Sequence, residues 1–291
     1  MIQSYFDAHC DTLWRAHTEN WSLEENPGHV DLRRLSAYAP MGQVFALYED
    51  SANLPEAERW PYIRARAGEF LAAKAAHPEL MSRCCLSLEG AELLDCDAEK
   101  LDIVQDWGVR WINLTWNHAN ALAGPHGTEQ GLTAAGRDFV RALWQRGMAV
   151  DVSHLSDRGF WDVLELGEGP VLASHSDSRA LCGHSRNLTD DMARAIFARK
   201  GFVGVNFCIY FLGGDTLDAV MAHIDHFLSL GGEDCLGMGS DFDGTDVPPE
   251  IGGAEGMGSL WAAMERRGYP APLIEKIAYG NLVRFLDELR N

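Results

Sequence analysis

Short apolar runs alternate with longer amphipathic stretches along this chain. Eight runs, at 4–9, 43–48, 84–88, 110–114, 149–153, 171–174, 202–207 and 235–239, are four to six residues long. They are rich in β-branched, aromatic and small apolar side chains, as parallel strands buried on both faces should be. Helical patterns lie between them at 55–77, 98–107, 133–146, 157–166, 189–200, 215–230 and 272–289. Thr133 is placed to cap the third of these, which stops before Gly147. The fifth opens on Thr189, carries Asp190 and Asp191 in its first turn, and stops before Gly201. Eight strands with intervening helices predict an α/β chain folded as a (β/α)8 TIM barrel, one domain over residues 1–291. The rival is a doubly wound open sheet, but no GxGxxG follows the first run.

Barrels of this kind carry their chemistry at the C-terminal ends of the strands. Strand one ends in His9-Cys10-Asp11, and residues two apart on a strand face the same side. His9 and Asp11 therefore aim at a common point, while Cys10 faces away and packs. Strand three ends at Glu89, strand five at His154, strand six at His175 and strand eight at Asp241. Strand seven ends less distinctively, at Asn206. A lone His-x-Asp is commonplace, and a solvated polar residue is ordinary at any one strand end. Three histidines and three carboxylates at five of eight strand ends are not. A mononuclear catalytic zinc needs three protein ligands and an open position. Five ligands plus a further carboxylate suit two metals sharing a bridge. Several barrel metallohydrolases bridge their metals with a carbamylated lysine. The four lysines here, Lys74, Lys100, Lys200 and Lys276, all miss the strand ends. The bridge is then a direct carboxylate, and Glu89 is the candidate.

Composition narrows the partners. A net charge of −19 argues against nucleic acid or an anionic membrane. No stretch approaches the roughly 20 apolar residues needed to span a bilayer. Met1 leads almost directly into the first strand, so no secretory signal is expected. Seven cysteines, an odd number with no CxxC pair, suit a reduced, cytoplasmic chain.

The motifs occur in a fixed order. They are Asp7-Ala8-His9-Cys10-Asp11, Leu88-Glu89-Gly90, Val152-Ser153-His154, Ser174-His175-Ser176, Ser185-Arg186-Asn187 and Gly239-Ser240-Asp241-Phe242-Asp243-Gly244. Together they resemble the membrane (renal-type) dipeptidase family, zinc peptidases of family M19 within the amidohydrolase superfamily. The resemblance covers nearly the whole chain. It implies a (β/α)8 barrel, two Zn2+ ions (with other divalent metals as alternatives), and often a homodimer. By match, His9 and Asp11 would bind one zinc, His154 and His175 the other, and Glu89 both. Asp241 would be the proton shuttle, and Arg186, eleven residues after His175, would hold the substrate carboxylate. The implied reaction is hydrolysis of a small dipeptide, including ones with a D-residue on the carboxy-terminal side, by a hydroxide between two zinc ions.

The match breaks at strand four. The family usually reads Leu-Thr-His there, and that histidine helps stabilise the oxyanion. This chain reads Leu114-Thr115-Trp116-Asn117-His118. Either His118 takes part in substrate binding from two residues on, or Asn117 donates instead, or the substrate differs. The third choice motivates a related amidohydrolase acting on N-acyl amino acids or another small amide or ester. A non-catalytic metal-binding protein on the same scaffold is the remaining alternative. The chain is short for the family, and without the cysteines and tail of a lipid-anchored relative in this sequence, a soluble intracellular enzyme is expected. His17, His29, His77, His126, His184, His223 and His226 read as ordinary, with His126 in a Gly/Pro loop placed to line the pocket.

Overall fold

The computed structural model describes residues 3–289. The eight apolar runs form eight parallel strands: β1 (Tyr5–Cys10), β2 (Met41–Leu47), β3 (Cys85–Glu89), β4 (Val109–Asn113), β5 (Ala149–Asp151), β6 (Val171–Ala173), β7 (Phe202–Val205) and β8 (Leu236–Met238). Each pairs with its sequence neighbours, and β8 returns to β1 through Met238 and Asp7, closing the barrel. Helices wrap it: α1 (Thr12–Glu19), α2 (Leu32–Leu35), α3 (Glu56–Ala76), α4 (Leu101–Asp106), α5 (Ala134–Gln145), α6 (Asp157–Glu165), α7 (Asp190–Ala198), α8 (Ile209–Leu212), α9 (Leu217–Ser229), α10 (Met257–Arg266), α11 (Ala271–Glu275) and α12 (Asn281–Glu288). The fold is the predicted (β/α)8 TIM barrel.

The caps explain where several helices begin. Thr133 accepts from the Gly136 amide, Thr189 from that of Met192, Ser156 from that of Gly159 and Thr216 from that of Ala219. Each satisfies a donor that a helix start leaves orphaned. The pattern read as one helix over 272–289 is broken in three. A π-helical turn, Lys276–Gly280, separates α11 from α12.

Two features confine the chemistry to one end of the barrel. The apolar face of α12 (Leu282, Phe285 and Leu286) packs with Phe6, Val44, Trp111 and Phe202 as a separate buried cluster. That cluster plugs the N-terminal end of the strands. On the other side, β7 and β8 approach β6 very closely. A Cβ on Gly204 would lie 2.0 Å from the Ser174 carbonyl oxygen, and one on Gly239 only 1.8 Å from it. Glycine is required at both positions, and the close approach draws the ends of β6, β7 and β8 together.

Candidate active site and metal centre

All six side chains expected at the strand ends converge at the C-terminal mouth. His9 lies in β1, within a register shift against β2 between Asp7 and Cys10. Bulges of this kind re-aim side chains beside active sites. Its Nε2 stands 3.4 Å from Asp11 Oδ2, 3.4 Å from Glu89 Oε2 and 3.9 Å from Asp241 Oδ1. Glu89 is the last residue of β3, and its other oxygen, Oε1, lies 2.8 Å from His154 Nε2 and 3.5 Å from His175 Nε2. The two imidazole nitrogens are 3.0 Å apart. Donor atoms of His9, Glu89 and His175 fall within 4.8 Å of one another, as do those of His9, Asp11 and Asp241. Glu89 thus turns one carboxylate oxygen to each side of the cluster.

These donors fit a pair of cations. Both ring nitrogens of His9 and Oδ1 of Asp11 are buried with no hydrogen-bond partner, and buried polar atoms are rarely left so. The donor set is nitrogen and oxygen without sulfur, which zinc and similar divalent ions accept. The electrostatics point the same way. Burial pushes Asp11 up to about 8, helped by the charges of Glu89 and Asp241. Burial pushes His154 down to about 3, aided by Arg186. It also pushes His175 well below the usual imidazole range, with His9 adding to the effect. Burial would raise Glu89, but the His9 charge holds it well below the carboxylate range. The cluster therefore offers unprotonated His154 and His175 beside an anionic Glu89. Burial would lower His9, but the charges of Glu89 and Asp11 hold it well above the imidazole range, so that a cation would take the place of its proton.

Supporting side chains fix the geometry. Asp7, fully buried, accepts from the Ser240 amide at 2.8 Å and the Ser240 hydroxyl at 2.7 Å. That pins the turn delivering Asp241. Asn206 donates to Asp241 Oδ2 at 2.9 Å, leaving Oδ1 toward His9. Asp151 Oδ1 accepts from the amides of Ser153 and Ser174, at 2.9 and 3.1 Å. This ends β5 at Asp151, two residues earlier than the sequence pattern suggests, and sets the loops carrying His154 and His175. His154 and Asp241 both have left-handed backbones, φ 68° and 63°. For residues other than glycine, such conformations cost on the order of 1–3 kcal/mol and cluster at functional sites.

A cavity of about 170 Å3 opens over the cluster, lined by Asp11, Glu89, His154 and Asp241. Trp14, Tyr48 and Trp116 form one wall, with ring centroids 5.8 Å apart for the first pair and 5.1 Å for the second. Asn117 and Phe211 also line it. Arg186 stands beside the cavity, its guanidinium 5.4 Å over the Phe211 ring. It is only 4% exposed. Its Nη2 donates to the His175 carbonyl at 3.2 Å, and its Nε has no partner.

His118 is placed elsewhere. It is half exposed, 3.2 Å from Asp50, and lines a separate surface depression. The chain turns after Trp116, so the two-residue offset carries His118 outward. We expect His118→Ala to leave kcat/KM within about twofold, as surface substitutions of about 0.5 kcal/mol do. A tenfold loss in steady-state assays would bring His118 back into the site. His126, expected to line the pocket, stands one residue behind the cavity instead, where it hydrogen-bonds Asn117, which does line it. Nothing in the sequence marks that contact.

A closed parallel barrel with this His/carboxylate cluster at its C-terminal mouth defines a metal-dependent hydrolase with a binuclear, dipeptidase-type centre. The chain belongs to the membrane dipeptidase family, peptidase family M19, whose family model matches residues 3–291. Dipeptidase tcpJ of Claviceps purpurea is 34% identical, an alignment covering 100% of this chain and 75% of that one. A metallopeptidase from Rhodobacter sphaeroides, solved with a phosphinate mimic of the dipeptide L-Ala-D-Ala, superposes with a TM-score of 0.91. It is 29% identical, with 99% of this chain and 100% of that one covered. The crystal structure of dipeptidase AC, also of family M19, gives 0.89 at 29% identity, covering 99% of each chain. Among the described residues, no helix is long and apolar enough to cross a membrane.

Proposed function

We propose that this chain is a zinc-dependent dipeptidase acting on small dipeptides, including those with a D-residue at the carboxy terminus. The observation that carries the reading is Glu89, with one oxygen on the His9 side and the other on the His154/His175 side. His9 and Asp11 would hold one ion, His154 and His175 the second, and Glu89 both. Two such ions, when bound, supply an acidic water and a Lewis acid for the scissile carbonyl. Asp241 Oδ1 takes the proton of the attacking water and delivers it to the leaving amine nitrogen. Asn206 on Oδ2 keeps that carboxylate oriented through the transfer.

Arg186 supports the restriction to dipeptides. Among the described residues, no carboxylate forms an ion pair with this buried guanidinium. Burial disfavours its charge, and Asp241, Glu89 and Asp151 offset this only from beyond ion-pair distance. The free carboxylate of a dipeptide matches its planar fork. Arg186→Ala is expected to raise KM by about 10–100-fold, the scale of a charged hydrogen bond of about 1.5–3 kcal/mol. Thermal melting of the same variant checks that the fold survives, and an unchanged KM removes Arg186 from binding.

The substrate class is tested by a panel of L-Ala-L-Ala, L-Ala-D-Ala, the dipeptide amides and N-acetyl amino acids. The reading expects the dipeptides to be preferred and their amides to be poor. A preference for N-acetyl amino acids would favour the related amidohydrolase that Trp116 suggests. The acidic chain and buried thiols such as Cys10 and Cys208 support a cytoplasmic enzyme that avoids nucleic acid and membranes.

A further inference from the structure

His154 is held from behind by side chains that the reaction above does not use. Its Nδ1 lies 2.9 Å from Asn117 Oδ1. The same oxygen lies 3.1 Å from His126 Nε2, and His126 Nδ1 lies 2.8 Å from Ser185 Oγ. A carboxamide oxygen only accepts, so both imidazoles donate to it. Donation from Nδ1 leaves the His154 lone pair on Nε2, the atom facing Glu89 and His175. The Ser185 hydroxyl then donates to His126. This chain of bonds ties together the segments that follow β4, β5 and β6.

The backbone reinforces it. The His126 amide donates to the His154 carbonyl at 2.7 Å, and Pro125 and Leu155 form an antiparallel bridge. His154 sits at φ 68°, a conformation that an imidazole side chain rarely adopts. The 125–126 segment thus braces both the backbone and the side chain of one expected metal ligand. The far end of the chain of bonds is Ser185, next to Arg186.

We propose that His126 is a positioning residue for the metal centre: acting through Asn117 and anchored by Ser185, it fixes the ring plane and donor atom of His154. The inference rests on the two-metal reading above. Outer partners of metal-ligating histidines typically change metal affinity or activity by about 10–100-fold when removed. The effect here is confined to one of two sites, because His9 and Asp11 make no contact with this network in the structure's hydrogen bonds.

The test compares His126→Leu with His126→Gln in the full chain. Glutamine keeps an N–H for Asn117 and a carbonyl oxygen for Ser185; leucine keeps neither. Zinc affinities are read by competition with a chromophoric chelator, and the ligand field by the visible spectrum of the cobalt-substituted protein. His126→Leu is expected to weaken one of two zinc sites by about 10–100-fold, leave the other unchanged, and alter the cobalt spectrum. His126→Gln is expected to stay within about threefold of the parent chain. The proposal is overturned if His126→Leu retains both affinities, loses both equally, or is matched in its loss by His126→Gln. If the leucine variant does not fold, Ser185→Ala carries the same test, with a weakening of about threefold to tenfold at one site. No change there overturns the proposal as well. A parent chain that binds fewer than two ions overturns the two-metal reading instead, before any substitution is compared.

Discussion

Glu89→Gln should lower kcat for dipeptide hydrolysis by about 10^2–10^4-fold. Glutamine preserves shape but removes the negative charge that both ligand groups face. Breaking a buried charge pair costs about 3–5 kcal/mol, and each 1.36 kcal/mol in the barrier is tenfold in rate. The amide nitrogen that replaces one oxygen has no lone pair for a cation, so one side of the cluster loses its shared donor. Metal content should fall with activity, from two ions per chain to one or fewer. Steady-state kinetics and metal analysis on one preparation check both. A variant that keeps two ions and a kcat within tenfold of the parent would show that Glu89 is not the bridge.

Asp241→Asn should give the second large effect, a loss of about 10^2–10^4 in kcat with little change in KM. Asparagine is the informative replacement. The site has φ 63°, and asparagine tolerates the left-handed region better than most residues. The Asn206 contact on Oδ2 also has a counterpart in the variant. Loss of activity then reports loss of proton transfer rather than collapse of the turn. Metal content separates two roles, since Asp241 also lies within reach of His9 and Asp11. Two retained ions with low kcat identify a proton shuttle. Loss of an ion together with activity would make Asp241 a ligand.

The barrel is legible in the chain because a parallel sheet covered on both faces leaves eight short apolar runs. Strand ends are less legible where a side chain replaces the ladder. Asp151 takes the amides of Ser153 and Ser174, and β5 closes early for that reason. Helices α1 and α10 escape the sequence pattern. Neither has a side-chain cap: α1 follows directly on Asp11, and α10 grows from Gly256. The π turn that divides the C-terminal helix has no sequence mark that periodicity detects.

The six side chains of the cluster are visible because each sits at or just beyond a strand end, where the fold dictates direction. Residues on longer loops carry no such rule. His118 and His126 both follow strand four, and their sequence positions do not distinguish them. The structure sends His118 to Asp50 and His126 to Asn117, a sorting made by loop path and by the pairing of Pro125 with Leu155. Trp116 is legible only as a departure from the family. The structure places it against Tyr48 at 5.1 Å, so the departure becomes part of an aromatic wall of the cavity over the cluster. The Asn117 oxygen accepts from His154 and His126, and its Nδ2 keeps the two N–H donors of the expected alternative.

If two ions held around Glu89 make this chain a dipeptidase, metal-depleted protein titrated with zinc should regain hydrolysis of L-Ala-D-Ala in step with both sites. Activity should rise to a plateau at two equivalents per chain. Full activity at one equivalent, or none at two, would contradict a two-ion dipeptidase.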